Sequence, residues 1–416
     1  MSVIQRALKL RLYPDKEQIK YLNNCLGASR FFYNQMLNER IEVYNRLKDD
    51  KEKLKRYKYK SPKEYKTEFP FLKEVDSHSL CWAAVNIKSA YVNFFRSIKE
   101  GKKAGFPKFK SKHRHNDSYT SSNCISIDFD NKKIKMLKFP GKWIQYKHST
   151  SPKSWYRTAA LKHITISKSP SGKYFASCAF EGEQDYSSVP KKIEKITGLD
   201  MSMQNFYVDE QGKSPEFTRN FRKYEKRLAL YQRKLSRKAK GSKNREKARI
   251  KAAGLHEKIA NKRKDFIEKL SLQLVRENDC IVVEQLNLKG MSRGLHMGKS
   301  VADLGYAMFV NKLKYKAAWN GKQVVLADQW YASSKLCSRC GCINKDLTLA
   351  QKEWACPACG ERHSRDTNAA MNLRKYGLEI LGATEELKSA ERQQWDSDIL
   401  HGRGEAENYN REVVGF

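Results

Sequence analysis

No run of eighteen apolar residues occurs anywhere in this 416-residue chain, so no segment qualifies as a membrane-spanning helix. Met1 to Leu12 also lacks the apolar core of a secretory signal. Acid is scarce. Only 46 Asp and Glu stand against 82 Lys and Arg, a formal charge of +36. A field of that sign repels itself in isolation, which excludes an indifferent surface and points to a polyanionic partner, nucleic acid. Cysteine is thin outside one stretch, five of the ten falling between Cys337 and Cys359. Such clustering excludes a distributed disulfide framework and fits a metal site in a reducing cytoplasm.

What the chain does contain is a set of acids in telling places. Ile196-Thr197-Gly198-Leu199-Asp200 and Ile281-Val282-Val283-Glu284 are short apolar runs that end on a carboxylate. Each reads as a buried strand, and a lone acid at its tip is costly unless a cation neutralises it. Asp366 stands at an N-cap position before the helix-forming run Asn368 to Leu373. Singly, each acid suits a turn, a salt bridge or a cap. In the order Asp, Glu, Asp they match what an RNase H-like domain needs to hold two Mg²⁺ ions about 4 Å apart for phosphodiester hydrolysis.

Along the chain, the alternation of Leu8, Leu10 and Leu12 with Lys9 and Arg11 predicts a strand. Helices follow from Asp15 through Leu26, from Ser29 to Arg46, and from Leu72 to Ile98. Gly105 to Arg114 interleaves aromatics with bases, a pattern suited to stacking and phosphate contact. Short alternating strands between Ser121 and Phe180 predict a small β-barrel completed by the N-terminal strand, with the helices inserted into it. Glu181 to Pro190 reads as a polar linker.

Arg219 to Lys264 carries nineteen Lys and Arg against three Glu, broken at Lys240-Gly241-Ser242. This predicts a helical hairpin with one packed face and one basic face for phosphate contact. Asn287 to Ser300, with three glycines, reads as a lid or a plain connector, and Val301 to Trp319 as a helix. Asp209 reads as a turn residue. Asp328 ends a further strand, about 10 Å from Asp200 if two strand spacings intervene.

Cys337-x-x-Cys340 and Cys356-x-x-Cys359, each closed by a glycine, give the spacing of a tetrahedral Zn²⁺ site, with Cys342 and His363 left over. The residues from Glu385 to Phe416 hold eight acids and four bases without periodicity, and read as a flexible tail.

An ordered series of motifs then resembles one family. It comprises Arg11-Leu12-Tyr13-Pro14, Gly27 to Asn34, Gly105 to Phe109, Gly198-Leu199-Asp200, His256 to Lys262, Val283 to Leu286, Ser333 to Cys337, the cysteine pairs and Asp366 to Ala370. Together these resemble TnpB (OrfB), the insertion-sequence protein related to type V CRISPR nucleases.

The resemblance implies an RNA-guided DNA endonuclease that cuts beside a short flanking motif. The guide RNA would come from the transposon end, the target would be double-stranded DNA, and the protein would be a monomer with its RNA in a prokaryotic cytoplasm, at the nucleoid when bound to DNA. Asp200, Glu284 and Asp366 would be catalytic Mg²⁺ ligands, and Cys337, Cys340, Cys356 and Cys359 would hold one structural zinc. Nucleic-acid contacts are expected at Phe106, Lys108, Lys110, Asn123, Arg233, Lys234, Arg237, Lys238 and Lys262.

The implied fold is an α/β RNase H-like (RuvC-like) nuclease domain with an inserted zinc ribbon, beside a wedge-like β-barrel with an inserted helical recognition lobe. The expected boundaries are 1–12 and 122–190 for the wedge, 13–121 for the lobe, 191–335 and 364–381 for the nuclease, 336–363 for the ribbon and 382–416 for the tail. Cys81-Trp82 departs from the family's motif-reading helix, so no motif preference carries over.

Two other readings fit less well. A transposase of this fold would order its acids Asp, Asp, Glu, and the single-strand type needs a His-apolar-His pair where His113-Arg114-His115 has a base. A nuclease-independent regulator would have lost one of the acids.

Overall fold

The computed structural model describes residues 2–112, 117–136, 138–147, 154–184, 193, 195–294, 298–348 and 350–381. The basic His113-Arg114-His115, most of the expected linker and the acidic tail lie outside the described residues. The chain forms two compact units. One joins the residues up to 185 with Tyr231–Glu257, and the other joins those from 186 to Leu230 with those from Lys258 onward.

The first unit begins with β1 (Ser2–Leu12), α1 (Lys16–Leu47), α2 (Lys51–Arg56), α3 (Pro62–Glu68) and α4 (Ser77–Lys99). It continues with β2 (Ser118–Ser121), β3 (Ser126–Asp128), β4 (Lys133–Lys135), β5 (Trp143–Lys147), α5 (Trp155–Thr158), β6 (Ala160–Lys168) and β7 (Tyr174–Gln184). Its antiparallel sheet has the order β2-β6-β7-β1-β5-β4-β3, with β1 at the centre. Leu8, Leu10 and Leu12 enter the core beside Leu22, Phe32 and Met36 of α1.

Two expected helices between Asp15 and Arg46 are one continuous 32-residue helix, started by an Asp15–Gln18 capping box. Gly27 at its middle costs about 1 kcal/mol relative to alanine. That is small beside the burial of Leu26, Phe32 and Met36 around it. The helix expected from Leu72 begins only at Ser77, where the Asp76 carboxylate accepts the His78 N–H at 3.0 Å.

The second unit contains β8 (Ile196–Ser202), β9 (Phe206–Asp209), and the first part of α6 (Asn220–Ser236). After the later part of α7 (Lys243–Glu277) come β10 (Cys280–Glu284), α8 (Leu288–Gly294), α9 (Gly298–Leu304), α10 (Tyr306–Trp319) and β11 (Gln323–Ala327). β12 (Glu353–Ala355) and β13 (Arg362–Ser364) form a small hairpin, and α11 runs over 365–381. The main sheet has the order β11-β10-β8-β9, with β8, β10 and β11 parallel and β9 antiparallel. Parallel strands buried on both faces read as unbroken apolar runs, which is what Ile281-Val282-Val283 is.

Two expectations change here. The glycine-containing stretch 287–300 is helical at 288–294 and 298–300 rather than an open loop. The helix expected from Val301 is broken at Gly305, whose φ of 70° sets α9 and α10 on different axes.

Candidate active site and cysteine cluster

Strand register assembles the acids. Val283 pairs with Leu199 across parallel β10 and β8, so Glu284 and Asp200 occupy the next rung on adjacent strands. Neighbouring strands lie about 4.8 Å apart. Side chains alternate along a strand, so Ile196, Gly198 and Asp200 share a face, as do Cys280, Val282 and Glu284. That face receives α11, because Ile196, Cys280 and Val282 pack with Leu373 in one cluster.

The approach of α11 is close because two glycines permit it. A Cβ on Gly198 would stand 2.1 Å from the Ala370 carbonyl oxygen and 2.7 Å from the Arg374 nitrogen. One on Gly377 would stand 2.4 Å from Val282 Cγ2. Asp366 sits one helical turn before Ala370, which carries it from Gly198 toward Asp200, two residues along the strand. Its position is within the first turn of α11 rather than at the expected N-cap, since the helix already includes residue 365.

The electrostatics agree with this convergence. Burial, then the charges of Glu284 and Asp366, push the Asp200 carboxyl up to about 8, against a smaller opposing pull from Arg365. Burial also raises Glu284, opposed by a hydrogen bond from Ser333. The Ser333 hydroxyl donates to Glu284 Oε1 at 2.7 Å, and the Ser333 carbonyl accepts from Asn372 Nδ2 at 2.8 Å. Arg365 pairs with Asp366 at 3.2 Å. Three acids on one face with one nearby arginine form an oxygen-donor set suited to hard divalent cations.

The outer acids are placed as follows. β11 lies on the far side of β10 from β8, and Asp328 just past it accepts the Trp330 N–H at 2.8 Å, as a turn residue does. Asp209 likewise accepts the N–H groups of Gln211 and Lys213 at 2.9 and 2.8 Å.

The cysteine cluster is built by two matching turns. Gly341 N–H donates to the Cys337 carbonyl and Gly360 N–H to the Cys356 carbonyl, both at 2.9 Å. Gly341 and Gly360 have φ of 78° and 71°, the left-handed region glycine enters freely. The four Sγ atoms lie within 4.8 Å of one another, with Cys337 to Cys359 at 3.7 Å and Cys340 to Cys356 at 3.5 Å. A tetrahedral zinc with Zn–S of about 2.3 Å requires sulfur separations of about 3.8 Å, so the quartet fits a zinc ribbon.

The Cys359 backbone N–H holds the Cys356 thiol down at about 6. Cys342 stays outside the quartet, and His363 Nε2 lies 3.0 Å from Cys337 Sγ while its ring packs on Trp354 at 4.8 Å.

The basic residues expected to meet nucleic acid are spread over both units. In the first, Arg233, Lys234, Arg237 and Lys238 are exposed, as are Lys108 and Asn123. Phe106 rests on Phe94 and Tyr91 yet stays 47% exposed. Lys110 is exposed as well, with its ammonium 4.2 Å from the Tyr33 ring centre. Lys262 is exposed on the second unit.

Family models match three stretches, described as "Helix-turn-helix domain" over residues 1–49, "Probable transposase" over 179–294 and "Cas12f1-like, TNB domain" over 306–373. The described residues of that first stretch, 2–49, fold as a strand followed by one long helix, not as two helices joined by a turn. A Streptomyces pristinaespiralis protein is 32% identical over 390 residues, covering 91% of this chain and 90% of its own. The InsQ protein of Escherichia coli is 30% identical over 403 residues, covering 92% and 95%. Both carry the words RNA-guided DNA endonuclease in their names.

The chain belongs to the TnpB (OrfB) family.

Its fold also resembles that of Cas12f1 in a cryo-EM complex with sgRNA and target DNA, at a TM-score of 0.50 and 15% identity over 89% of this chain and 99% of that one. For this TnpB-family chain the sequence pointed to the acids and the cysteines. Ser333, Asn372, Gly198 and Gly377 received no role from it. Ser333 and Gly198 do stand inside the quoted motifs, but only tertiary contact reveals what they touch.

Proposed function

We propose that the chain is an RNA-guided DNA endonuclease of an insertion sequence, with Asp200, Glu284 and Asp366 as its hydrolytic centre. The observation that carries this is the convergence of the acids, Asp200 and Glu284 on the same rung of adjacent parallel strands and Asp366 on the helix that Gly198 and Gly377 admit to the same face. The upward push on Asp200 from burial and from the charges of Glu284 and Asp366 agrees with it. A half-buried trio in which two acids oppose the ionisation of the third is a poor structural device and a good receptor for divalent cations. The sheet order, with parallel strands and carboxylates at their carboxyl ends, supports an RNase H-like (RuvC-like) reading of the second unit.

Two Mg²⁺ ions, when bound, would supply an activated water and stabilise the leaving oxygen. Asp200, on the strand between β9 and β10, is the acid that faces both other carboxylates. Glu284 is oriented by Ser333. Asp366 is delivered by the helix that Gly198 admits. The sheet around β1 supports the wedge reading, and the helices between β1 and β2 the recognition-lobe reading. The cysteine quartet would hold one structural Zn²⁺.

A guide RNA from the transposon end would select double-stranded DNA by base pairing, while the protein reads a short flanking motif. The exposed bases of the α6–α7 hairpin would meet phosphates without reading sequence. Asp200→Ala tests the centre. Guided cleavage is expected to vanish while RNA retention on the purified protein is unchanged. Cutting at a rate comparable to the parent protein refutes the assignment, and parallel loss of RNA would make the acid structural.

A further inference from the structure

Trp330 is 82% exposed, more than any other large hydrophobic side chain among the described residues. Tryptophan has a large area to bury and ordinarily does so. The loop that carries it is not loose. Asp328 accepts the Trp330 N–H at 2.8 Å and the Tyr331 N–H at 3.0 Å, and the Tyr331 carbonyl accepts the Ser333 N–H at 2.8 Å. Tyr331 turns inward, its hydroxyl donating to the Asn372 carbonyl at 3.2 Å and its ring lying 4.7 Å from Tyr376. Ser333 is buried against Glu284. The backbone is therefore fixed on both sides of Trp330, and the indole contributes nothing to that fixing.

Its position is informative. Ala327 of β11 pairs with Glu284 of β10, and Trp330 lies three residues past Ala327 and three before Ser333, which touches Glu284. Three residues span at most about 11 Å, roughly three nucleotide steps of a strand at about 3.4 Å each. The neighbouring exposed side chains are Asp328, Gln329 and Ala332. A protein-binding anchor sits inside a surround of other apolar groups, whereas the exposed neighbours of Trp330 along the chain are an acid, an amide and one small alanine. A lone flat ring, rigidly mounted on a chain of charge +36, suits a nucleobase instead.

We propose that Trp330 is a stacking platform for one base of the single strand that reaches the carboxylate site, fixing its register a few nucleotides from the phosphate to be cut. This rests on the nuclease reading of Asp200, Glu284 and Asp366. Base–aromatic stacking is sequence-tolerant, and a ring makes no phosphate contact.

The test uses the full chain carrying Asp200→Ala and a short oligo(dT) bearing one 2-aminopurine, whose fluorescence is quenched on stacking. Quenching is expected at one oligonucleotide position and lost in Trp330→Ala, with affinity falling about 5- to 150-fold. Trp330→Phe should keep most of both, and neither variant should change the salt slope or the unfolding temperature. Quenching that persists in Trp330→Ala overturns the proposal, as does a changed salt slope or equal losses in the alanine and phenylalanine variants. These readouts need no cleavage. Failure of the nuclease reading would appear separately, as cutting by Asp200→Ala in the otherwise native chain.

Discussion

The cysteine quartet and the carboxylate trio lie in the same unit, yet they are prepared in opposite ways. The four thiols already stand 3.5 to 3.7 Å apart in their closest pairs. Thiols are mostly neutral near pH 7, and one lowered thiol such as Cys356 can share a proton with its neighbours. Carboxylates repel once ionised, so backbone must hold them. The trio is therefore carried on two strands and a helix pressed together at Gly198 and Gly377. A soft-metal site can gather its ligands by turn geometry alone, whereas a hard-metal site needs a frame that resists its own charge.

The strongest way to break the trio without touching an acid is Gly198→Ala. The added Cβ would stand 2.1 Å from a backbone oxygen that cannot rotate away. It should lower stability by more than about 4 kcal/mol and remove cleavage, measured by chemical unfolding and a plasmid-cutting assay. Normal stability with full cutting would show that α11 does not rest on β8.

Breaking the other site should be less general. Cys337→Ser combined with Cys356→Ser is expected to release one equivalent of zinc and unfold the ribbon, while the first unit keeps its melting transition. Elemental analysis and calorimetry report on the two halves. Parent protein purified without chelator and found free of zinc would contradict the ribbon assignment.

Ser333→Ala sharpens the comparison by removing only the hydroxyl that restrains Glu284. A loss of about 10- to 100-fold in metal affinity or rate is expected, as for other groups that orient metal ligands. Ser333→Thr should restore most of it, and Mn²⁺ titration of each variant checks the claim.

The smallest effect is a proton. Asp200 stands at about 8 in the folded, metal-free protein, above its ordinary 3.8. A raised carboxyl stabilises the fold fully below its unfolded value and loses that contribution as pH rises through the folded one. Metal-free protein should therefore melt progressively lower between pH 4 and 8 as far as Asp200 is concerned. At pH 7, below that value, metal binding should release a proton from this group. Calorimetric titration in buffers of different ionisation enthalpy measures the release, and none at pH 7 would mean that Asp200 is already ionised.

Much of this was legible in residues taken a few at a time. Apolar runs ending on Asp200 and Glu284 announced strands and acids together, and the Cys-x-x-Cys pairs announced their turns. Local pattern could not say that α1 continues through Gly27, because burial on both sides of that glycine decides it. Nor could it show that Gly305 turns the chain between α9 and α10. The same limit hid Gly198, whose missing Cβ matters only because the helix carrying Ala370 and Arg374, far later in the sequence, arrives against it. Ser333 was visible as part of a motif, but its partner Glu284 lies 49 residues away.

The stretch between Leu336 and α11 departs from the sheet and returns to nearly the same place. Asn368 and Asn372 both donate to the Leu336 carbonyl, at 2.7 and 2.6 Å, and Asn368 also accepts the Ser338 N–H at 2.9 Å. Two amides thus clamp the exit and the entry of one excursion side by side. A segment whose ends meet can be lengthened, shortened or exchanged without moving what it leaves and rejoins. The fold consequently offers a socket at this point, where a different recognition module could be grafted while the acids on either side keep their places.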